Sequence, residues 1–341
     1  MRHVYLDHQS ATPVLPEVLD AMKPFFTEAF GNPSSLHQFG LRARDAMTDA
    51  RGQIGRLINA ESPEDIVFTS DGTESANLAI KGTAWANQRK GNHIVLSNIE
   101  HPSVLNSVAF LEKHGFTSTR VEVDGEGKID PANVRAAITD KTILVAIHHV
   151  NHDIGTIQPI REIADAAHVA GVPLYVDADA SAGWVGVDVR ELCADIVSFS
   201  PHRFYGPKGV GILYRQRRAR VEGILHGGDQ EGGRRAGVEN VAAIVGAGVA
   251  AEIARRDLAQ RAAHCAGLQK RLWDGLRARV PRIRLNGPEP GRGRSPVNLN
   301  ISVEGTEGEG QLLLCDMRGI AVASGTGCVS KSLKASHVLE A

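Results

Sequence analysis

Long apolar runs are absent from this 341-residue chain, and none reaches the ~18 residues needed to cross a bilayer as a helix. The first residues, MRHVYLDHQS, lack the apolar core of a secretory leader. Charge of one sign is not concentrated anywhere, and 38 basic residues against 39 acidic leave a net charge of −1. That balance excludes the basic stripe expected of a nucleic-acid binder. Cysteine is scarce: Cys193, Cys265, Cys315 and Cys328 are scattered without CxxC spacing. A disulfide scaffold and a zinc ribbon are therefore excluded, and a reducing compartment, the cytoplasm, is expected. No internal repeat and no long low-complexity tract interrupts the chain.

What is present is an ordinary globular composition, 42% hydrophobic and 23% charged, with length for one large domain and a smaller one. From about residue 65, short β-rich runs alternate with helical patterns. DIVFTS leads into DGTESANLAIKGTAWANQR, HIVLS into HPSVLNSVAFLEKHG, and TILVAIHHV into IREIADAAHVAG; PLYVDA and ADIVSFS follow, then GVGILYR. This alternation predicts an α/β fold with a mostly parallel central sheet covered on both faces. Residues 13–60 read as mostly helical around the break GNPSSLHQFG, and a long helix is expected to start near Val241. After the loop NGPEPGRGRSP, the run VNLNISV opens a second α/β segment. The division expected is a large domain over residues 13–250 and a small one from 1–12 and 251–341.

In open α/β sheets, ligands lie beyond the carboxyl ends of the strands. The residues placed there are Thr73, His101, Asn151, His152, Asp177, Ser200, His202 and Arg203. SDGTESAN sets Gly72 and Thr73 at a helix start, which is either an anion site or an ordinary cap with Glu74 in the first turn. Asp177 ends an apolar strand; it either faces a cation, such as a protonated pyridine nitrogen, or caps the following loop. His101 precedes a helix, where its ring either stacks on a planar cofactor or is a satisfied structural residue. In HHVNH, a strand over 143–150 would send His148 and His149 to opposite faces, which argues against a metal site built from that run. Cys328 lies in VASGTGCVSKS, a Gly/Ser-rich stretch that reads as an exposed loop; Lys331 and Lys334 nearby favour a thiolate. It is either a nucleophile or a small loop residue, whereas Cys193 and Cys265 sit in helical apolar patterns that read as core.

In chain order, VYLDHQSATPV, GNPSSLHQFG, DIVFTSDGTESANLAIKG, EHPSVL, HHVNHDIGTIQPI, YVDADASAG, DIVSFSPHRFYGPKGVGILY, HGGDQEGGRRAGVENVAAIVG and SGTGCVSKSL resemble the cysteine desulfurases of the NifS/IscS type. These are pyridoxal-phosphate (PLP) enzymes of aminotransferase class V, and the match is collinear over essentially the whole chain. The resemblance implies the PLP-dependent transferase fold of type I, resembling aspartate aminotransferase, and a homodimer with its pockets at the subunit interface. It implies cofactor-phosphate contacts from Thr73, Ser200 and His202, completed by a Thr from the other subunit. Asp177 matches the family's partner of the pyridine nitrogen, His101 its stacking imidazole, and Cys328 the loop cysteine that carries sulfur as a persulfide.

The chain departs from the family at several of these places. Arg203 in SPHR stands where the family has its Schiff-base lysine, and Ala180 in VDADA where a Gln contacts the cofactor's phenolic oxygen. His152 replaces the second Asn of VNNEIG, Val238 the Thr donated across the dimer, and Gly232 the Arg of QER. Family members also continue for several tens of residues past the point matching Ala341, in a tail whose Arg binds the substrate carboxylate. Lysine serves this chemistry through a neutral amine that forms the Schiff base and then shuttles a proton. Arginine is protonated at any working pH and does neither. Lys208 in GPKG matches a second lysine that the family has as well as the catalytic one.

The reading that follows is a cysteine desulfurase-like protein of sulfur or iron–sulfur metabolism, with PLP-dependent desulfuration lost or strongly impaired. Cys328 would then accept a persulfide, or ligate an iron–sulfur cluster shared with a scaffold or sulfur-acceptor partner. One alternative is an active desulfurase, turning L-cysteine into L-alanine and an enzyme persulfide with noncovalent PLP. Another is a metal or small-anion binder using His101, His152, His202 and Asp177. No nucleic acid and no membrane is expected as a partner.

Overall fold

The computed structural model describes residues 3–325 and 336–341. Cys328, Lys331 and Lys334 lie outside the described residues.

Seven short runs, all but the polar edge strand β3 largely apolar, form the central sheet: β1 (Ile66–Thr69), β2 (His93–Ser97), β3 (Thr117–Val121), β4 (Thr142–His148), β5 (Leu174–Asp177), β6 (Ile196–Phe199) and β7 (Gly211–Arg215). Their order across the sheet is β1-β7-β6-β5-β4-β2-β3. The β7 strand is antiparallel to both neighbours, and every other pairing is parallel. In β4, β5 and β6 every residue is buried, as a sheet covered on both faces requires.

Successive side chains of a strand point to opposite faces, and the core divides accordingly. Val95, Val145, Val176, Val197 and Ile212 pack on one face, together with α1 (Gln38–Leu57), α4 (Ile160–Val169) and α5 (Val241–Arg279). Ile94, Leu96, Leu144, Tyr175, Ile196 and Leu213 pack on the other, with α2 (Gly72–Asn87) and α3 (Pro102–Glu112). The fold is thus the α/β architecture with a mostly parallel central sheet that the alternation predicts.

The long α5 begins at Val241, as expected, and passes unbroken through residue 250. Beyond it, Ile283–Leu285 pairs antiparallel with Ile301–Val303, and Ile320–Ala321 pairs parallel with Val4–Tyr5 near the N-terminus. No helix among the described residues is long and apolar enough to cross a membrane.

Two local expectations fail. Cys193 is not in a core helix: it is half-buried in a turn, in the left-handed region at φ 52°. The cause is Asp188, whose carboxylate accepts from the N–H groups of Arg190 and Glu191 and folds this short apolar segment into turns. Cys265 does lie on a helix, α5, but is half-buried rather than core. The β4 strand ends at His148 instead of continuing to residue 150.

Candidate active site

Five strands deliver polar residues to one edge of the sheet. The β1 strand ends at Thr69, and Asp71 caps the helix that follows: its carboxylate accepts from Glu74 N at 2.7 Å, while Glu74 Oε2 accepts from Ser70 N at 2.7 Å. This reciprocal capping satisfies two exposed donors and starts α2 at Gly72. Glycine is needed there for space. A Cβ at position 72 would fall 2.6 Å from Ser200 Oγ and 2.7 Å from Asp179 Oδ1. Thr73 follows, exposed in the first turn.

From β2 comes His101, the N-cap of α3, whose Nδ1 lies 2.7 Å from Ser103 Oγ and accepts from Ser103 N. Its ring meets that of His152 edge-on, with centroids 5.0 Å apart. His152 follows β4, and both its ring nitrogens are buried without a hydrogen-bond partner among the described residues. Burial, reinforced by the neighbouring His101, holds its pKa well below the ordinary value, so the ring is neutral. In HHVNH, His148 Nδ1 lies 2.8 Å from the carboxylate of buried Glu100. Among the described residues no three His, Cys, Asp or Glu side chains are grouped to hold a metal.

Asp177, the last residue of β5, is buried, and its Oδ1 accepts from Asp179 N at 2.9 Å. Burial raises its pKa to about 7, helped by the like charge of Asp179. Asp179 shows the opposite result. Burial alone would raise its pKa, but the Arg203 guanidinium holds it below the usual carboxylate range.

The loop after β6 supplies Ser200, His202 and Arg203. Ser200 is fully buried, and its Oγ has no hydrogen-bond partner among the described residues. The carbonyl of His202 accepts from both N–H and Oγ of Thr12, and that of Arg203 accepts from Trp184 Nε1 at 2.8 Å. Burial lowers the pKa of His202. With the backbone fixed, the Arg203 side chain turns inward and donates from Nε to Asp179 Oδ2 at 3.0 Å. Around this pair is a small cleft of about 20 Å³, lined by His8, Gln9, Asp179, Ala180, Trp184, Arg203 and Val297, with room for about one water.

Gly72, Thr73, His101, His152, Asp177, Ser200, His202 and Arg203 therefore gather at one sheet edge, while Cys328 falls outside the described residues. Asp179 and Trp184 escaped the sequence reading. Asp179 alternates with Asp177 in VDAD and is the complement in charge to the unusual Arg203, which is the signal that points to it.

A mostly parallel sheet with a helix N-terminus, a buried aspartate and a Ser-Pro-His turn at its carboxyl edge defines the PLP-dependent transferase fold of type I. The family model that matches is aminotransferase class V, over residues 4–340. A cysteine desulfurase IscS of Clostridium botulinum is 45% identical over 338 residues, covering 99% of this chain and 85% of the relative. That of Dictyoglomus turgidum is 45% identical over 340 residues, covering 100% and 86%. Among solved structures, a NifS-like protein superposes with a TM-score of 0.92 at 33% identity, covering 99% of this chain and 89% of that one. SspA, solved in complex with cysteine, gives 0.86 at 33% identity, with 99% and 93% covered. The chain belongs to the cysteine desulfurase family of class-V aminotransferases.

PLP is the cofactor of that family. At the position that the sequence resemblance matches to the anchoring lysine, the Arg203 guanidinium, which forms no Schiff base, is engaged by Asp179, and a carboxylate oxygen of Asp179 lies against Gly72 at the start of α2.

Proposed function

We propose that this chain works in sulfur or iron–sulfur metabolism as a sulfur-handling member of the cysteine desulfurase family. In this reading its PLP-dependent desulfuration is lost or strongly weakened. The observation that carries it is the Arg203–Asp179 ion pair at 3.0 Å. A guanidinium does not condense with an aldehyde or relay a proton at neutral pH, and its pairing with a largely buried carboxylate removes what little freedom it has. Cys328, matched to the family's persulfide cysteine, is assigned as the sulfur acceptor or cluster ligand facing a scaffold or acceptor protein. The protein is assigned as a homodimer working in the cytoplasm.

A second reading, an active cysteine desulfurase with noncovalent PLP, is favoured by the comparisons. Relatives at 45% identity carry that name, and Thr73, His101, Asp177, Ser200 and His202 are all at the sheet edge. The ion pair supports the first reading and the likeness supports the second.

Incubation of the purified protein with L-cysteine and PLP separates them. The first reading predicts well under one equivalent of L-alanine above a protein-free control, with Cys328 still converted to a persulfide by a small-molecule persulfide donor. Stoichiometric or catalytic release of L-alanine would establish the second.

A further inference from the structure

The Asp179 carboxylate is built into the beginning of α2. The distances from a Cβ at Gly72, 2.7 Å to Asp179 Oδ1 and 2.6 Å to Ser200 Oγ, put both atoms against the first residue of the helix. Both are buried and without hydrogen-bond partners among the described residues. The other oxygen, Oδ2, accepts from Arg203 Nε at 3.0 Å, and the N–H of Asp179 is held by Asp177 Oδ1 at 2.9 Å. A helix N-terminus attracts negative charge through its free N–H groups and dipole. Here an unbonded carboxylate oxygen of Asp179 lies against that terminus, in addition to the Asp71 carboxylate that caps it.

We propose that Asp179 and Arg203 form an internal plug. The Asp179 carboxylate takes the place of a bound phosphate at the start of α2, and the Arg203 guanidinium fills the adjoining space. Phosphate-bearing ligands, PLP included, are excluded as long as Asp179 is there. This rests on the reading of Arg203 given above and goes beyond it by assigning the exclusion to Asp179. A phosphate brought beside this carboxylate meets a like charge in a poorly solvated place. Changing Arg203 alone leaves that obstacle. An amine introduced at position 203 would pair with Asp179, remain protonated, and so lack the lone pair that condensation with an aldehyde requires.

The test compares wild type, Arg203→Lys, and Arg203→Lys combined with Asp179→Ala, each incubated with PLP, reduced with borohydride and mapped by mass spectrometry. Condensation expels water, and hydride reduction of the resulting C=N bond fixes the adduct at position 203. The double variant is expected to carry about tenfold more adduct at that position than Arg203→Lys alone, the factor given by one pKa unit in the amine. Equal labelling of the two variants, whether high or absent, overturns the assignment to Asp179. Asp179→Asn, which keeps the shape and removes the charge, gives a second readout with Arg203 intact. Calorimetric affinity for inorganic phosphate should rise about tenfold in this variant, and an unchanged affinity overturns the proposal. A native lysine labelled in the wild type would instead overturn the reading of Arg203, so the two failures are distinct.

Discussion

Asp177 and Asp179 are two residues apart, joined by a hydrogen bond, and driven to opposite protonation behaviour by their surroundings. Asp177 has burial and a like charge against it, whereas Asp179 has a guanidinium. The consequence for stability has a definite sign. The folded state keeps a proton on Asp177 up to about pH 7, while the unfolded chain loses it near about pH 4. Stability from this group is therefore greatest below that window and falls as pH rises through it. The lowered pKa of Asp179 acts only below the window. Asp177→Asn is expected to flatten the loss of stability between about pH 5 and 8, measured by urea denaturation at both ends. A variant whose stability falls as steeply as that of the wild type would contradict the assignment. Of this pair only Asp177 was legible in the sequence, because it ends an apolar strand. Asp179 takes its meaning from Arg203, which lies 24 residues away and reaches it only through the β5–β6 register.

At the scale of elements, the helix starts and strands were the most legible parts, since apolar period and capping residues act locally. SDGTES reads as a helix start, and Asp71 and Glu74 form it by capping each other's end of the turn. The segment over residues 226–240 was less legible. Its glycines and arginines read as a loop, in which the buried Glu231 side chain accepts from Arg51 at 2.7 Å and from Phe68 N at 2.8 Å, and Arg235 pairs with Glu74 at 2.9 Å. The segment is fastened to the rest of the chain through an ion pair whose partners are 180 residues apart. By contrast, the segment from residue 26 to the start of α1 leaves apolar side chains in water. Phe26, Phe30, Leu36 and Phe39 are between 54% and 84% exposed, and the rings of Phe30 and Phe39 are 5.6 Å apart. An apolar cluster of this kind marks an interface, and a second copy of this chain is the partner expected from the family resemblance. Light scattering at micromolar concentration is expected to give a dimer that Phe39→Glu weakens. A monomeric wild type would contradict that expectation.

For the whole molecule, the class of fold could be read from the order of β and α runs, and the family from motifs spread along the entire chain. The state of the site could not. A sequence shows that Arg203 is present, but only the packing around it shows a guanidinium held by a largely buried carboxylate and a cleft of about 20 Å³ beside them. Likeness in sequence and fold favours an enzyme that works as its relatives do, whereas the chemistry of one side chain opposes it. The most direct test is intact-protein mass after the wild-type chain is incubated with PLP and treated with borohydride. The account predicts the unmodified mass and no borohydride-sensitive yellow absorbance. A one-to-one reduced PLP adduct on a single lysine would contradict it.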